Sequence, residues 1–185
     1  MSAQVVDRVV DRALNDRELA RAWSVLGTVL DPEVPVLSLR DLGIVRDVQR
    51  RGDGNGIEVV LTPTYSGCPA TEVIAASVKQ ALRDAGYADI TVTHQLAPAW
   101  TSDWISAEGR RKLRDYGIAP PSGAAAVHDA AKGAARRVSI RGHNVDCPRC
   151  ASGDTERLSA FGSTACKALY RCLACREPFE YFKPI

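Results

Sequence analysis

Two short cysteine pairs near the C-terminus constrain this chain more than any other feature. "CPRC" supplies Cys147 and Cys150, "CLAC" supplies Cys172 and Cys175, and 21 residues separate the pairs. A C-x-x-C turn lets both sulfurs converge on one ion, and two such turns complete a tetrahedral tetrathiolate site. Soft thiolates suit zinc, with iron as the main competitor. The segment from about Val138 onward is under fifty residues long, too small for a self-sufficient apolar core, so a bound metal acts as its staple. Between the pairs, "TERLSAF" and "CKALYRC" read as strands around the turn "GST", and "PFEYF" reads as a third strand, which is the pattern of a zinc ribbon. Four protein ligands leave no open coordination position, so the metal is expected to fold the module rather than to catalyse hydrolysis.

Five of the six cysteines belong to this C-terminal part, and the N-terminal "MSAQVVDRVVDRALND" carries charges every few residues in place of the apolar core of a signal peptide. That combination favours metal over disulfides and points to a cytoplasmic protein, with no run long enough for a membrane span. The balance of 24 basic against 22 acidic residues supplies no global field toward nucleic acid or an anionic membrane. From Cys147 to the end, six basic side chains face four acids, which is a poor phosphate footprint, so nucleic-acid binding is a secondary alternative.

Upstream, Asn15 and Asp16 are candidate caps for a helix over "RELARAWSVLGTVL". There Leu19, Trp23, Leu26 and Leu30 share one face, and Pro32 and Pro35 bar continuation. "GIVRDVQRR" and "GIEVVLT" are β-type runs joined by "GDGNG", a hairpin signal. From Ala70 to Ala85, Ile74, Val78, Ala81, Leu82 and Ala85 form a helical apolar stripe. "DITVTHQL" then alternates as a third strand, with Ile90, Val92, His94 and Leu96 on its apolar side. A short basic helix follows Ser106 and ends at Gly117. The expected fold class is therefore α+β, a small sheet covered by helices, followed by a separate all-β zinc ribbon. The expected parts are an N-terminal extension (1–14), the α+β domain (15–119), an alanine-rich linker (120–137) and the ribbon (138–185). Trp100, Trp104 and Tyr116 serve either the core or an interface, which leaves a homo-oligomer open.

Two cysteines stand outside the pairs. Cys166 lies on the side of Ala168 and Tyr170, either as a small packed residue or as a fifth thiolate near the ribbon. Cys68, in "TPTYSGCPAT", immediately precedes the most regular helix of the chain. Amide donors and the positive end of the helix dipole there stabilise a thiolate; Gly67 allows close approach, and Pro69 suits a first turn. The same cysteine also fits as an inert turn residue.

"DPEVPVLSLRDLGIV" and "TYSGCPAT" together resemble the small domain of SufT-like iron-sulfur maturation proteins. With "AWTSDWISAEGRRKLRDYGIAPP" and a ribbon carrying "FGSTACKALYRC", the chain is similar to the PaaD family, accessory subunits of bacterial phenylacetyl-CoA epoxidase systems. The resemblance covers roughly 19–121 and 146–183. It implies a role in aerobic phenylacetate degradation, with the oxygenase and reductase subunits of the epoxidase as partners and neither nucleic acid nor membrane among them. It also implies a transient iron-sulfur cluster or iron as cargo beside the structural zinc. Under it Cys68 is the loop cysteine that handles cargo and Cys166 a second candidate. Asp31, Glu33 and Asp41 are the acidic turn residues, whose ordinary role is capping. The absence of a Glu-x-x-His pair and of a glycine-rich dinucleotide fingerprint agrees with a non-catalytic subunit. A purely structural or docking subunit of the complex is the alternative.

Overall fold

Short apolar runs broken by glycine and proline build two compact units here, Met1–Trp100 and Thr101–Ile185. The computed structural model describes residues 17–51, 56–65, 67, 69–121 and 145–185. The N-terminal extension with Asn15 and Asp16, residues 52–55 of the hairpin turn, Cys68, and residues 122–144 of the linker region lie outside the described residues.

In the first unit, helix α1 (17–26) buries Ala22 and Leu26. It stops earlier than the prolines require. The Thr28 hydroxyl and amide both donate to the Val25 carbonyl, at 2.7 and 2.9 Å, so a side chain competes for the carbonyl that the next helical turn would use. Leu30, expected on the helix face, instead forms a β-bridge with Ser38 and is exposed.

Strands β1 (Val45–Arg50) and β2 (Ile57–Leu61) form the expected antiparallel pair. At the end of their turn, Gly56 has φ +86°, and a Cβ there would sit 2.5 Å from the Asp89 carbonyl oxygen, so only glycine fits. Helix α2 (Thr71–Asp84) buries Ile74, Val78 and Leu82 of the stripe read from the sequence, with Ala75 beside them, while Ala81 and Ala85 are half-buried. It connects β2 to β3 (Ile90–His94), which runs parallel to β2 and completes the order β1-β2-β3. No residue of β3 is fully buried, so its alternation does not give a buried face. His94 and Leu96 are exposed, which corrects the packed histidine expected there.

The second unit begins with a 3-10 turn, Ser102–Trp104, capped by the Thr101 side chain. Helix α3 (Ala107–Tyr116) follows, with the Ser106 hydroxyl accepting from the Gly109 amide and Gly117 closing it at φ +95°, the cap and stop expected from sequence. Strands β4 (Ile118–Ala119), β5 (Thr155–Ser159), β6 (Lys167–Cys172) and β7 (Pro178–Phe182) make one sheet in the order β4-β7-β6-β5. The three ribbon strands are those read from the sequence. Strand β4 is not; it pairs in parallel with β7 within the second unit, which begins at Thr101. A two-residue strand has no periodicity to reveal it. Its buried Ala119 packs into the cluster of Val145, Ala168, Tyr170, Phe179 and Tyr181.

Candidate metal centre and the cysteine loop

The two cysteine turns are built alike. The Cys147 amide donates to the Ser152 carbonyl at 3.0 Å, and the Cys172 amide donates to the Glu177 carbonyl at the same distance. In each turn the residue after the second cysteine takes a left-handed backbone, Ala151 at φ 59° and Arg176 at φ 67°. That conformation costs a non-glycine residue about 1–2 kcal/mol, and its recurrence at equivalent places marks it as a requirement of the turn. The four sulfurs lie within 4.8 Å of one another, with Cys147 to Cys175 at 3.7 Å and Cys150 to Cys172 at 3.6 Å. A tetrahedral ion about 2.3 Å from each sulfur would hold the sulfurs about 3.8 Å apart, so the cluster fits a zinc-sized ion. Cys147 and Cys172 are buried against Tyr170, Phe179 and Tyr181, whereas Cys150 is exposed. Tyr170 stacks on Phe179 with centroids 5.9 Å apart and meets Tyr181 edge-on at 5.6 Å, which gives the sulfur cluster a rigid aromatic floor.

Without metal the thiols contend for protons. The Cys175 amide donates to the Cys172 sulfur at 3.4 Å, and with the neighbouring thiols adding to it this outweighs burial, so Cys172 drops to about 7. At Cys175 the Glu177 amide pulls downward, but burial and the shared protons of Cys172, Cys150 and Cys147 outweigh it and push the thiol up to about 12. Metal entry must therefore displace protons, and acid favours release.

Cys166 is not part of this cluster. Its side chain is buried, its sulfur lies 3.0 Å from the Thr164 hydroxyl, and its carbonyl accepts from the Lys183 amide at 2.9 Å.

In the first unit the carboxylates of Asp31 and Asp41 hold two turns. Asp31 Oδ1 accepts the Glu33 and Val34 amides at 2.9 and 2.8 Å, and Asp41 Oδ2 accepts both the amide and the hydroxyl of Ser38. A run of backbone bonds joins these turns: Leu39 to Val29, Ile44 to Leu39, and Thr62 to Ile44, each at 2.9–3.0 Å. The "DPEVP" turn, the "DLG" turn and the first residue of "TPTYSGCPAT" are thus stitched together at the C-terminal end of β2. Cys68 itself lies outside the described residues. Three residues beyond it α2 begins, and its N-cap, Ala70, makes no side-chain capping bond, in contrast to Ser106 on α3. Backbone amides at a helix start are the donors that favour an anion there.

Thr62, expected only as a strand end, is 1% exposed, and its hydroxyl has no hydrogen-bond partner among the described residues. Burying an unpaired hydroxyl costs about 1–3 kcal/mol. Thr62→Val is accordingly expected to raise stability by about 1 kcal/mol, read as a higher midpoint in urea; a lower midpoint would show that the hydroxyl has a partner in solution. Lys167 and Glu180 were also missed. They pair at 2.8 Å from β6 and β7, and only the strand register reveals that they share a face.

An iron-sulfur-assembly type of α+β domain joined to a cysteine-bearing β ribbon is what this fold and site define. The family model "Iron-sulfur cluster assembly protein" matches residues 19–93, and the model "PaaD zinc beta ribbon domain" matches residues 132–183. The chain belongs to the PaaD family: it is 49% identical over 166 residues to an Escherichia coli protein named as a subunit of 1,2-phenylacetyl-CoA epoxidase, covering 88% of this chain and 91% of that one. Among solved structures, a domain of unknown function, DUF59, from Bacillus anthracis is 25% identical, with a TM-score of 0.51 over 55% of this chain and 96% of that one.

Proposed function

We propose that the chain is a non-catalytic accessory subunit of the phenylacetyl-CoA epoxidase of aerobic phenylacetate degradation, which matures or inserts an iron-sulfur cluster or iron into an oxygenase or reductase partner. In this reading Cys147, Cys150, Cys172 and Cys175 hold a structural zinc, and Cys68 is the thiolate that carries cargo. The zinc, when bound, supplies a cross-link between the two cysteine turns. The observation that carries the reading is the position of Cys68, three residues before the start of α2, in a loop whose first residue is tied to the two acidic turns. Amide donors at a helix start stabilise a thiolate and the net negative charge of a thiolate-bound cluster. Cys166, buried beside the Thr164 hydroxyl, is the second candidate in this reading. No helix among the described residues is long and apolar enough to cross a membrane, and the proposed setting is the cytoplasm.

The test is anaerobic purification of the wild type and Cys68→Ala, followed by iron, sulfide and zinc analysis and by reconstitution of the epoxidase. Iron is expected in the wild type alone, zinc in both, and epoxidase activity should fail to develop with Cys68→Ala. Full activity with the variant would remove the transfer role and leave a docking subunit.

A further inference from the structure

The loop between β5 and β6 is held by several hydrogen bonds around a side chain that is exposed to solvent. Phe161 is 65% exposed, and Leu158, three residues earlier, is 49% exposed. Around them the backbone is pinned. The Phe161 amide donates to the Ser159 hydroxyl at 3.2 Å, the Gly162 amide to the Lys167 carbonyl at 2.8 Å, and the Ser163 amide to Glu180 Oε1 at 2.6 Å. At Gly162 a Cβ would stand 2.6 Å from Glu180 Oε1, so a side chain there would push aside the carboxylate that holds the loop. Beneath the loop, Lys167 is almost fully buried in its ion pair with Glu180. Buried pairs of this kind add little net stability over apolar packing, and their best-supported use is to fix one arrangement. A loop fixed this firmly around an exposed aromatic has the character of an interface anchor.

Charge gives the partner's chemistry. The carboxylates on β5 and β7 are already taken, Glu156 by Arg171 and Glu180 by Lys167. Lys183, by contrast, holds its ammonium 4.6 Å from the Phe161 ring centroid and, among the described residues, donates only to the Ala160 carbonyl, at 3.3 Å, while Arg157 on β5 is exposed. The anchor is therefore an aromatic ring with a cation on its face. Resting on the function proposed above, we infer that Phe161 and Leu158 insert into an apolar pocket on an epoxidase subunit, and that carboxylates rimming this pocket receive Lys183.

The experiment immobilises the full-length protein and uses the purified oxygenase and reductase subunits as separate probes. Phe161→Ala is expected to weaken binding to the recognised subunit at least tenfold, with zinc content and unfolding midpoint unchanged. Lys183→Glu should weaken it comparably, Lys183→Arg should retain it, and added salt should weaken the wild type. Wild-type affinity in Phe161→Ala overturns the inference. Wild-type affinity in Lys183→Glu overturns the acidic rim, and with it the inference as stated. Self-association of the wild type that Phe161→Ala abolishes would give the surface to a second copy of the chain and overturn it too. If the wild type binds neither subunit, the functional reading itself fails; if it binds and Phe161→Ala binds equally, only the anchor fails.

Discussion

Cys172→Ser is expected to unfold the sheet of the second unit while the first unit stays folded. A structural zinc supplies roughly 10–16 kcal/mol of apparent binding energy at neutral pH, comparable to or larger than the whole stability of a small domain. The ribbon strands bury few large side chains beyond Tyr170, Phe179, Tyr181 and Phe182, so little else holds them. Cys172 is 0% exposed and sits at the end of β6, so its loss both opens the coordination sphere and buries a hydroxyl in place of a ligand. The measurements are one equivalent of zinc lost, collapse of the near-UV signal from the tyrosines, and protease cleavage confined to the second unit. Cys150→Ser should be milder, because that ligand is exposed and water can replace it. A ribbon that keeps its fold and midpoint after strong chelation, or with Cys172→Ser, would refute the metal staple. The first unit is expected to keep its own transition in both variants, since Leu26, Val59, Val78 and Leu82 give it an apolar core that needs no ion.

The four-cysteine cluster was legible in the sequence because residue identity and spacing are local properties. The four cysteines, the three ribbon strands, the α2 stripe and the caps Ser106 and Gly117 are all written within a few residues of where they act. What was not legible depends on register or on what packs over a strand. His94 belongs to an alternating apolar pattern, yet no residue of β3 is fully buried, so that pattern does not seal into a core. Leu30 has helical spacing, but Thr28 intercepts the Val25 carbonyl first. Strand β4 is too short to show a period, and Thr62 reads as an ordinary strand terminus until its hydroxyl is found enclosed. The acidic turn residues lie between these cases. Their turn-forming bonds follow from residue type, while the bonds that tie the two turns to the cysteine loop are long-range and appear only in the fold.

Lys167→Met is expected to destabilise the second unit by about 2–4 kcal/mol, near the figure for breaking one side of a buried ion pair, reduced because Glu180 keeps some solvent access. The loss arises from stranding the carboxylate rather than from losing an attraction. Lys167→Met with Glu180→Gln should therefore recover most of the stability, since Gln can still accept the Ser163 amide while carrying no charge. The acid limb separates this account from simple loss of packing. Burial alone would raise the Glu180 carboxyl, but its bonds with Lys167 and Ser163 outweigh burial and hold it below its ordinary value. A depressed carboxyl contributes stability that is complete above its unfolded value and is lost as pH falls through the folded one, so the wild type should lose this contribution below about pH 4. In Lys167→Met the depression weakens, and the gap between wild type and variant should narrow as pH falls. Urea midpoints at pH 7 and in the acid range decide the matter: a gap that does not change with pH, or a double variant no better than the single, would show that the Lys167 stem and not its charge holds the loop.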